Sequence, residues 1–442
     1  MDESRALELA KQGFSASTSY MESNLLDVWE ENERLFQSRH PKGSKYESSD
    51  YRLRSKLFKP KTRSTMQINE ADCAFAFFGN DRLLQITPQN SADPVQRASA
   101  SITQELIQYR LEQSIPWYHV VVGAFQDASK NDICAAYTYW DYQEIDGEVY
   151  CDKPVIELLP VENLRFDPAA DWANAVNDSP YLIHILPMTV DDVMTRMAEP
   201  DQKTGEPKWR KLKEEDIRAA HDSTHNRMRE ERDYPRENPL ERERWKTYDI
   251  VYVHRNFFRE KGRDYVYYTL GTRELLSKPV PAREVYNHLR IGERPYVIGH
   301  VALEAHRPYP DSGSCGLMRN LQREVNDLAN LRMDTVKMAV MGRHLVKRQA
   351  TIDYDTLRKS IPGSGILVDN PDTDICRCRT PQAGVITSSN FLTRILPTSP
   401  VHLAHQISHW VAKIRQRVGH RWCRRVPPRL VTTAYLPSPR HS

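Results

Sequence analysis

The chain has 442 residues, 39% of them hydrophobic and 27% charged, with a formal net charge of +3, which sets a prior of two or three packed units with real cores. No apolar stretch reaches the roughly 18 residues that a membrane-spanning helix needs, and Met1-Asp2-Glu3-Ser4-Arg5 opens an amphipathic pattern rather than a secretory signal. The seven cysteines are scattered and odd in number, so reduced thiols in a cytosolic protein are expected instead of a disulfide framework.

The near-neutral total conceals an asymmetry. Residues 375–442 contain no Asp or Glu against eleven Lys and Arg, which leaves the preceding body acidic overall.

Taken in chain order, Leu7, Leu9, Met21, Leu25, Leu26, Trp29 and Leu35 among charged neighbours predict one or two amphipathic helices ending before His40-Pro41. A basic stretch follows at 39–63, with Arg52, Arg54, Lys56, Lys59, Lys61 and Arg63 interleaved by Tyr46, Tyr51 and Phe58. It reads either as a nucleic-acid or docking surface or as a solvated face balanced by the acidic body. Ala98, Ile102, Leu106 and Tyr109 predict a helix over 94–115, stopped by Pro116. The β-branched and aromatic runs 117–125, 133–142 and 148–158 predict an antiparallel meander. A short helix capped by Thr189 is expected over 189–197, with Asp191 and Asp192 at its positive end.

Residues 199–245 are the most polar connection and read as a charged linker or helix. The runs 248–259 and 264–270, joined at Lys261-Gly262, predict a hairpin, and 296–303 another strand. The clearest helix is expected at 316–340, capped by Asp311 or Ser312 and stopped at Gly342, a rod of about 37 Å. Its stripe of Leu317, Leu321, Val325, Leu328 and Leu331 fits core packing or a subunit contact. Strands at 344–348 and 365–369 flanking a short helix at 354–360 complete the body.

Nucleotide hydrolysis finds no support in the motifs, because Gly43-Ser44-Lys45 lacks the upstream glycine and strand-to-helix context of a phosphate loop. Neither H-E-x-x-H nor G-x-S-x-G occurs, and Asp372 and Asp374 lie in a Pro-Asn turn where surface acids are ordinary. Cys376 and Cys378 with His402, His405 and His409 form a poorly spaced zinc candidate, and chance composition is the preferred reading. No cofactor is expected.

Several phrases occur in an order that resembles the portal, or head-to-tail connector, proteins of short-tailed phages. They are Trp29-Glu30-Glu31-Asn32-Glu33-Arg34-Leu35-Phe36, then Ser55-Lys56-Leu57-Phe58-Lys59-Pro60, then Val122-Gly123-Ala124. Leu159-Pro160-Val161-Glu162-Asn163-Leu164-Arg165-Phe166-Asp167-Pro168, Pro187-Met188-Thr189-Val190-Asp191-Asp192-Val193, Arg294-Pro295-Tyr296-Val297 and Pro310-Asp311-Ser312-Gly313 continue the series. The resemblance covers 15–374. It implies a non-enzymatic, α+β subunit of a dodecameric ring in the virion, assembled in the host cytoplasm, through which double-stranded DNA is packaged and ejected. Implied partners are further copies of itself, the terminase large subunit, capsid and scaffolding proteins, and head-completion or tail proteins, with no membrane.

By that resemblance, 1–198 is a wing-like module, 199–245 a linker, 246–311 a β-rich clip-like module and 312–374 a stem-like helix with the start of a second wing segment. Arg319, Arg323 and Lys337 are the candidate DNA-channel contacts, and Arg52, Arg54, Lys56, Lys59, Lys61 and Arg63 the candidate docking surface. Residues 375–442 match nothing in the family, and their composition fits an out-of-frame tail on a truncated prophage copy. The alternatives are a cytosolic nucleic-acid-binding protein using the 39–63 segment, and a metal-dependent nuclease.

Overall fold

A computed structural model of the chain describes residues 1–199, 207–218, 232, 250–341, 343–346, 375–378 and 433–434, apart from 53, 81, 82, 146, 291, 303, 311 and 312. The fold is α+β, as expected. It divides into two compact units, one of Met1–Gln37, Thr62–Met318 and Ser399–Ser442, the other of Ser38–Lys61 and Arg319–Thr398.

The first unit opens with α1 (Glu3–Asn24) and α2 (Leu26–Phe36), followed by α3 (Lys61–Phe78), β1 (Ile86–Thr87), α4 (Pro94–Gln113) and α5 (Trp117–Asn131). The expected strand at 117–125 is therefore a helix. Its β-branched content suggested a strand, but the most deeply buried apolar positions include Trp117, Val121, Ala124, Phe125 and Ala128, which recur at helical spacing. Tertiary burial overrides local propensity here. The helix ends at Asp132, whose φ of 61° reverses the chain into β2 (Ile133–Ile145).

Strand β2 pairs antiparallel with β3 (Glu148–Leu159) and with the later β10 (Tyr296–His300), giving a three-stranded sheet of order β10-β2-β3. Next come β4 (Leu164–Phe166), the one-turn α6 (Ala175–Asp178), β5 (Tyr181–Thr189), α7 (Val190–Ala198) and the short α8 (Glu214–Arg218). The cap at Thr189 is reciprocal: its hydroxyl accepts from the Asp192 amide while the Asp192 carboxylate accepts from the Thr189 amide.

Strands β6 (Ile250–Glu260) and β7 (Arg263–Leu270) form the expected hairpin. Lys261 and Gly262 sit at φ of 49° and 74°, the doubly positive pair that a tight right-twisted hairpin requires. With β8 (Glu274–Leu275) and β9 (Val280–Pro281), followed by α9 (Ala282–Val285), they complete a six-stranded sheet in which β6 pairs with β5. That pairing corrects the expected partition. Each sheet joins strands from 246–311 to strands from 1–198, at β10–β2 in one and at β5–β6 in the other, so the wing-like and clip-like segments fall in one compact unit. Most of the expected linker at 199–245 lies outside the described residues.

Four clusters form the core of this unit. Helices α3 to α5 cover one face of the small sheet through Ile107, Leu111, Trp117 and Phe125 against Ala136, Ile156 and Val297. Trp29, Phe166, Leu182, Phe257, Tyr296 and Tyr309 fill the space between the sheets. Ala6, Ala10 and Phe14 of α1 pack on Ile183, Ile185 and Tyr267, while Val190, Val193 and Trp209 pack with Val251, Val253 and Leu270. Residues of two of the phrases that carry the portal resemblance, those at 29–36 and 122–124, are anchors in this core. Asn32 donates to the Lys130 carbonyl at 2.9 Å, and the Lys130 ammonium meets Glu33 at 3.1 Å. A Cβ at Gly123 would lie 2.9 Å from Leu158, which shows how closely α5 approaches β3.

The helix α10 (Ser314–Met341), about 42 Å long, enters the second unit at Arg319. Its expected caps Asp311 and Ser312 and its expected stop Gly342 lie outside the described residues. Beyond it, β11 (Arg343–Val346) pairs antiparallel with β12 (Ile375–Cys378), and the expected strand at 365–369 and short helix at 354–360 lie outside the described residues. The acid-free segment thus begins inside a paired strand. Near its end, β13 (Thr433–Ala434) pairs with β1, and the rest of 379–442 lies outside the described residues.

Candidate functional site

The second unit is built on a match of two repeats. Between Pro41 and Pro60 the only helical structure among the described residues is a 3-10 turn at Ser49–Tyr51, and 55–59 passes along α10 with every second amide bonded to it, as an extended segment would. An extended chain advances about 6.7 Å every two residues, and a helix advances about 6 Å every four. Side chains four apart on the helix can therefore meet every second backbone group of the extended segment.

Gln322, Asn326, Asn330 and Asp334 occupy those positions. Asp334 accepts the amide of Ser55 at 2.8 Å, Asn330 that of Leu57 at 2.7 Å and Asn326 that of Lys59 at 2.9 Å. Asn330 also donates to the Leu57 carbonyl at 2.9 Å, and Gln322 to the Lys59 carbonyl at 2.6 Å. A helix thereby satisfies a strand's backbone groups without a sheet.

The start of this arm is held by an aromatic and charged cluster. His40 stacks on Tyr46 with ring centroids 3.9 Å apart, and the Tyr46 hydroxyl donates to Asp327. Lys45 pairs with the same carboxylate at 2.7 Å. Burial pushes the Asp327 carboxyl up, but hydrogen bonds from Lys45 and Tyr46 outweigh it and hold the group below the usual carboxylate range. Asp334 behaves alike: slight burial raises it, and the hydrogen bonds from Ser55 with the nearby Lys337 ammonium lower it further. Burial lowers His40, which favours the neutral ring against Tyr46.

With its backbone occupied, the arm presents its cations outward. Arg52, Arg54, Lys56 and Lys59 are exposed, and among the described residues no carboxylate forms an ion pair with Arg52, Lys56 or Lys59. Lys61 is exposed at the start of α3. Arg63 belongs to the other unit, where it donates to the Phe36 carbonyl at 3.3 Å and lies over that ring, so it does not join the arm's row. Of the candidate channel contacts, Lys337 donates to the Ser55 hydroxyl at 2.8 Å and so helps hold the arm. Arg323 is exposed and Arg319 half-buried.

The apolar stripe of α10 is not core. Leu328 is 50% and Leu331 56% exposed, whereas Gln322, Asn326 and Asn330 on the other side are buried. The usual amphipathic arrangement is inverted: the polar face is covered by the chain's own arm and the apolar face is open. Sequence reasoning missed the polar ladder. Its signal was present as amide and carboxylate residues at four-residue intervals, but the parallel leucine stripe drew the reading.

The other candidate motifs resolve less. Gly43 donates its amide to the Glu47 carboxylate at 2.9 Å, which places an acid where a phosphate loop would need a phosphate. Cys376 and Cys378 lie on β12, while Asp372, Asp374, His402, His405 and His409 lie outside the described residues. Among the described residues there is no group of three or more side chains able to hold a metal ion, and no helix is long and apolar enough to cross a membrane. No known family model matches the chain, and no curated protein is similar to it.

Proposed function

We propose that the chain is a structural subunit of a portal-type ring that conducts double-stranded DNA. The observation that carries this reading is the inverted helix α10. An apolar stripe exposed at Leu328, Leu331 and Val336 and half-buried at Leu321 and Val325, on a helix whose polar face the chain itself covers, suits side-by-side packing with another copy. Head-to-tail repetition of one such contact closes into a ring when the rotation allows. The resemblance of the ordered phrases to portal proteins implies twelve as the expected number of copies. The terminase large subunit, capsid and scaffolding proteins, and head-completion or tail proteins are then the partners, and the virion the site of action.

On this reading the chain is no enzyme and needs no cofactor. Arg323 and Arg319 are then the residues proposed to meet passing phosphates through few contacts, which suits DNA that must slide. Chemical cross-linking of the purified protein tests the proposal. A ladder that ends at one high-order species near twelve copies supports it, and a chain that stays monomeric at high concentration overturns it.

The exposed row of Arg52, Arg54, Lys56 and Lys59 favours a second reading, a nucleic-acid-binding protein that uses the arm. That reading requires duplex or single-stranded DNA to be retained at low salt by monomers, and retention to fall when the arm's cations are replaced.

A further inference from the structure

The hairpin of β2 and β3 runs on past the sheet core, and its end carries exposed aromatic and acidic side chains. Cross-strand partners point to the same side, so Tyr142 and Asp152 share one face, with Trp140 and Pro154 beneath them. Beyond the register shift at Gln143 and Glu144, Glu144 pairs with Val149. Tyr142 is 45% and Val149 55% exposed, and Tyr150 projects further at 75%. Within this face the Trp140 indole donates to Asp152 at 2.6 Å and the Tyr142 hydroxyl to Glu144 at 2.7 Å, which fixes both rings beside carboxylates. Glu144 and Glu148 are themselves exposed, and Lys153 is the one cation among the described residues from 140 to 153.

Exposed aromatic faces held next to carboxylates recognise Lys and Arg, through the ring quadrupole and through ion pairing together. The chain carries a matching ligand. Lys56 in the arm and Arg52 in the turn that leads into it are exposed and form no ion pair with a described carboxylate, Arg54 lies over the Tyr51 ring, and Leu57 adds an apolar side chain at 42% exposure. The arm's backbone is already fixed on α10, so its cations are displayed from a pre-ordered strand and lose little freedom on binding.

We propose that the acidic, aromatic end of the β2–β3 hairpin is a docking surface for the basic arm of a second copy of this chain. The proposal rests on self-association in the reading above, but it needs neither ring closure nor DNA. The contact is small against the area of a stable interface, so it orients neighbouring copies and adds to the apolar contact along α10 instead of holding them alone. It is also sensitive to salt, because both partners are exposed.

Charge reversal tests it on the full chain by sedimentation velocity at low salt. One variant reverses the hairpin (Glu144→Lys with Glu148→Lys) and another the arm (Arg52→Glu with Lys56→Glu). Each is expected to weaken self-association by about tenfold. An equimolar mixture of the two should restore it, because the cationic hairpin of one chain then meets the anionic arm of the other. Unchanged association in both single variants overturns the proposal. So does restoration only when both reversals sit in one chain and never on mixing, which would assign the contact to a single molecule, and so does a wild-type chain that does not associate. If rings form but ignore these reversals, this contact is refuted and the portal reading stands; if mixing restores association but no ring is ever seen, the reverse holds.

Discussion

Asn330 closes both backbone groups of Leu57, accepting its amide proton at 2.7 Å and donating to its carbonyl at 2.9 Å. Asn330 is fully buried, and it is the central rung of the ladder that fixes the arm to α10.

Replacing it, Asn330→Ala, leaves two backbone groups of the arm without partners. The expected cost to arm docking is about 1–3 kcal/mol, the range for leaving such a group unsatisfied. Amide hydrogen exchange should show faster exchange at Leu57 and its neighbours with the sheet strands β5 and β6 unchanged. Equal loss of protection in both places would mean the arm is not a separable element.

Acid should release the same arm. Asp327 and Asp334 are held below the ordinary carboxylate range in the folded protein, so their contribution is fully present above the unfolded pKa, about 4, and is lost as pH falls through the lower folded values. Exchange at Ser55, corrected for the intrinsic rate, should accelerate below pH 4, ahead of the β5–β6 core. An arm that stays protected to the point of global unfolding would contradict the assigned role of these two carboxylates.

In the first unit, Arg294 is buried with its guanidinium 3.2 Å from Asp264 and 2.9 Å from the Val176 carbonyl. Asp264→Asn should destabilise that unit by about 3–5 kcal/mol, because the arginine loses the charge that compensates it in the interior. Urea unfolding followed by tryptophan fluorescence would measure the change, and a shift under 1 kcal/mol would place the compensation elsewhere.

Leu328→Glu combined with Leu331→Glu puts charge on the open stripe of α10. Both residues are half exposed, so the monomer should fold as before, with unchanged circular dichroism, while higher assemblies disappear from sedimentation profiles. Persistent assembly would remove α10 from the interface.

Helices α1, α2, α4, α7 and α10 and the hairpins β2–β3 and β6–β7 were legible in the sequence because their signals are local, among them the doubly positive turn at Lys261 and Gly262 and the cap at Thr189, whereas α3 and β5 drew no expectation. The helix at Trp117 was not, since valines at 120–122 favour a strand until the sheet beneath them supplies a helical burial pattern. The joining of strands from 1–198 to strands from 246–311, β5 to β6 and β2 to β10, depends on pairing between distant segments, which periodicity does not encode. In the site, the arm's basic residues were identified, but their exposure follows from a ladder on a helix more than 260 positions away. Leucines at helical spacing announce an apolar face without saying what covers it.

Negative-stain electron microscopy of the purified chain at high concentration tests the central claim most directly. The account predicts annular particles with a central hole wide enough for duplex DNA, uniform in the number of subunits and lost in the Leu328→Glu, Leu331→Glu variant. A field of single compact particles at every concentration and salt, or rings that persist unchanged in that variant, would contradict it.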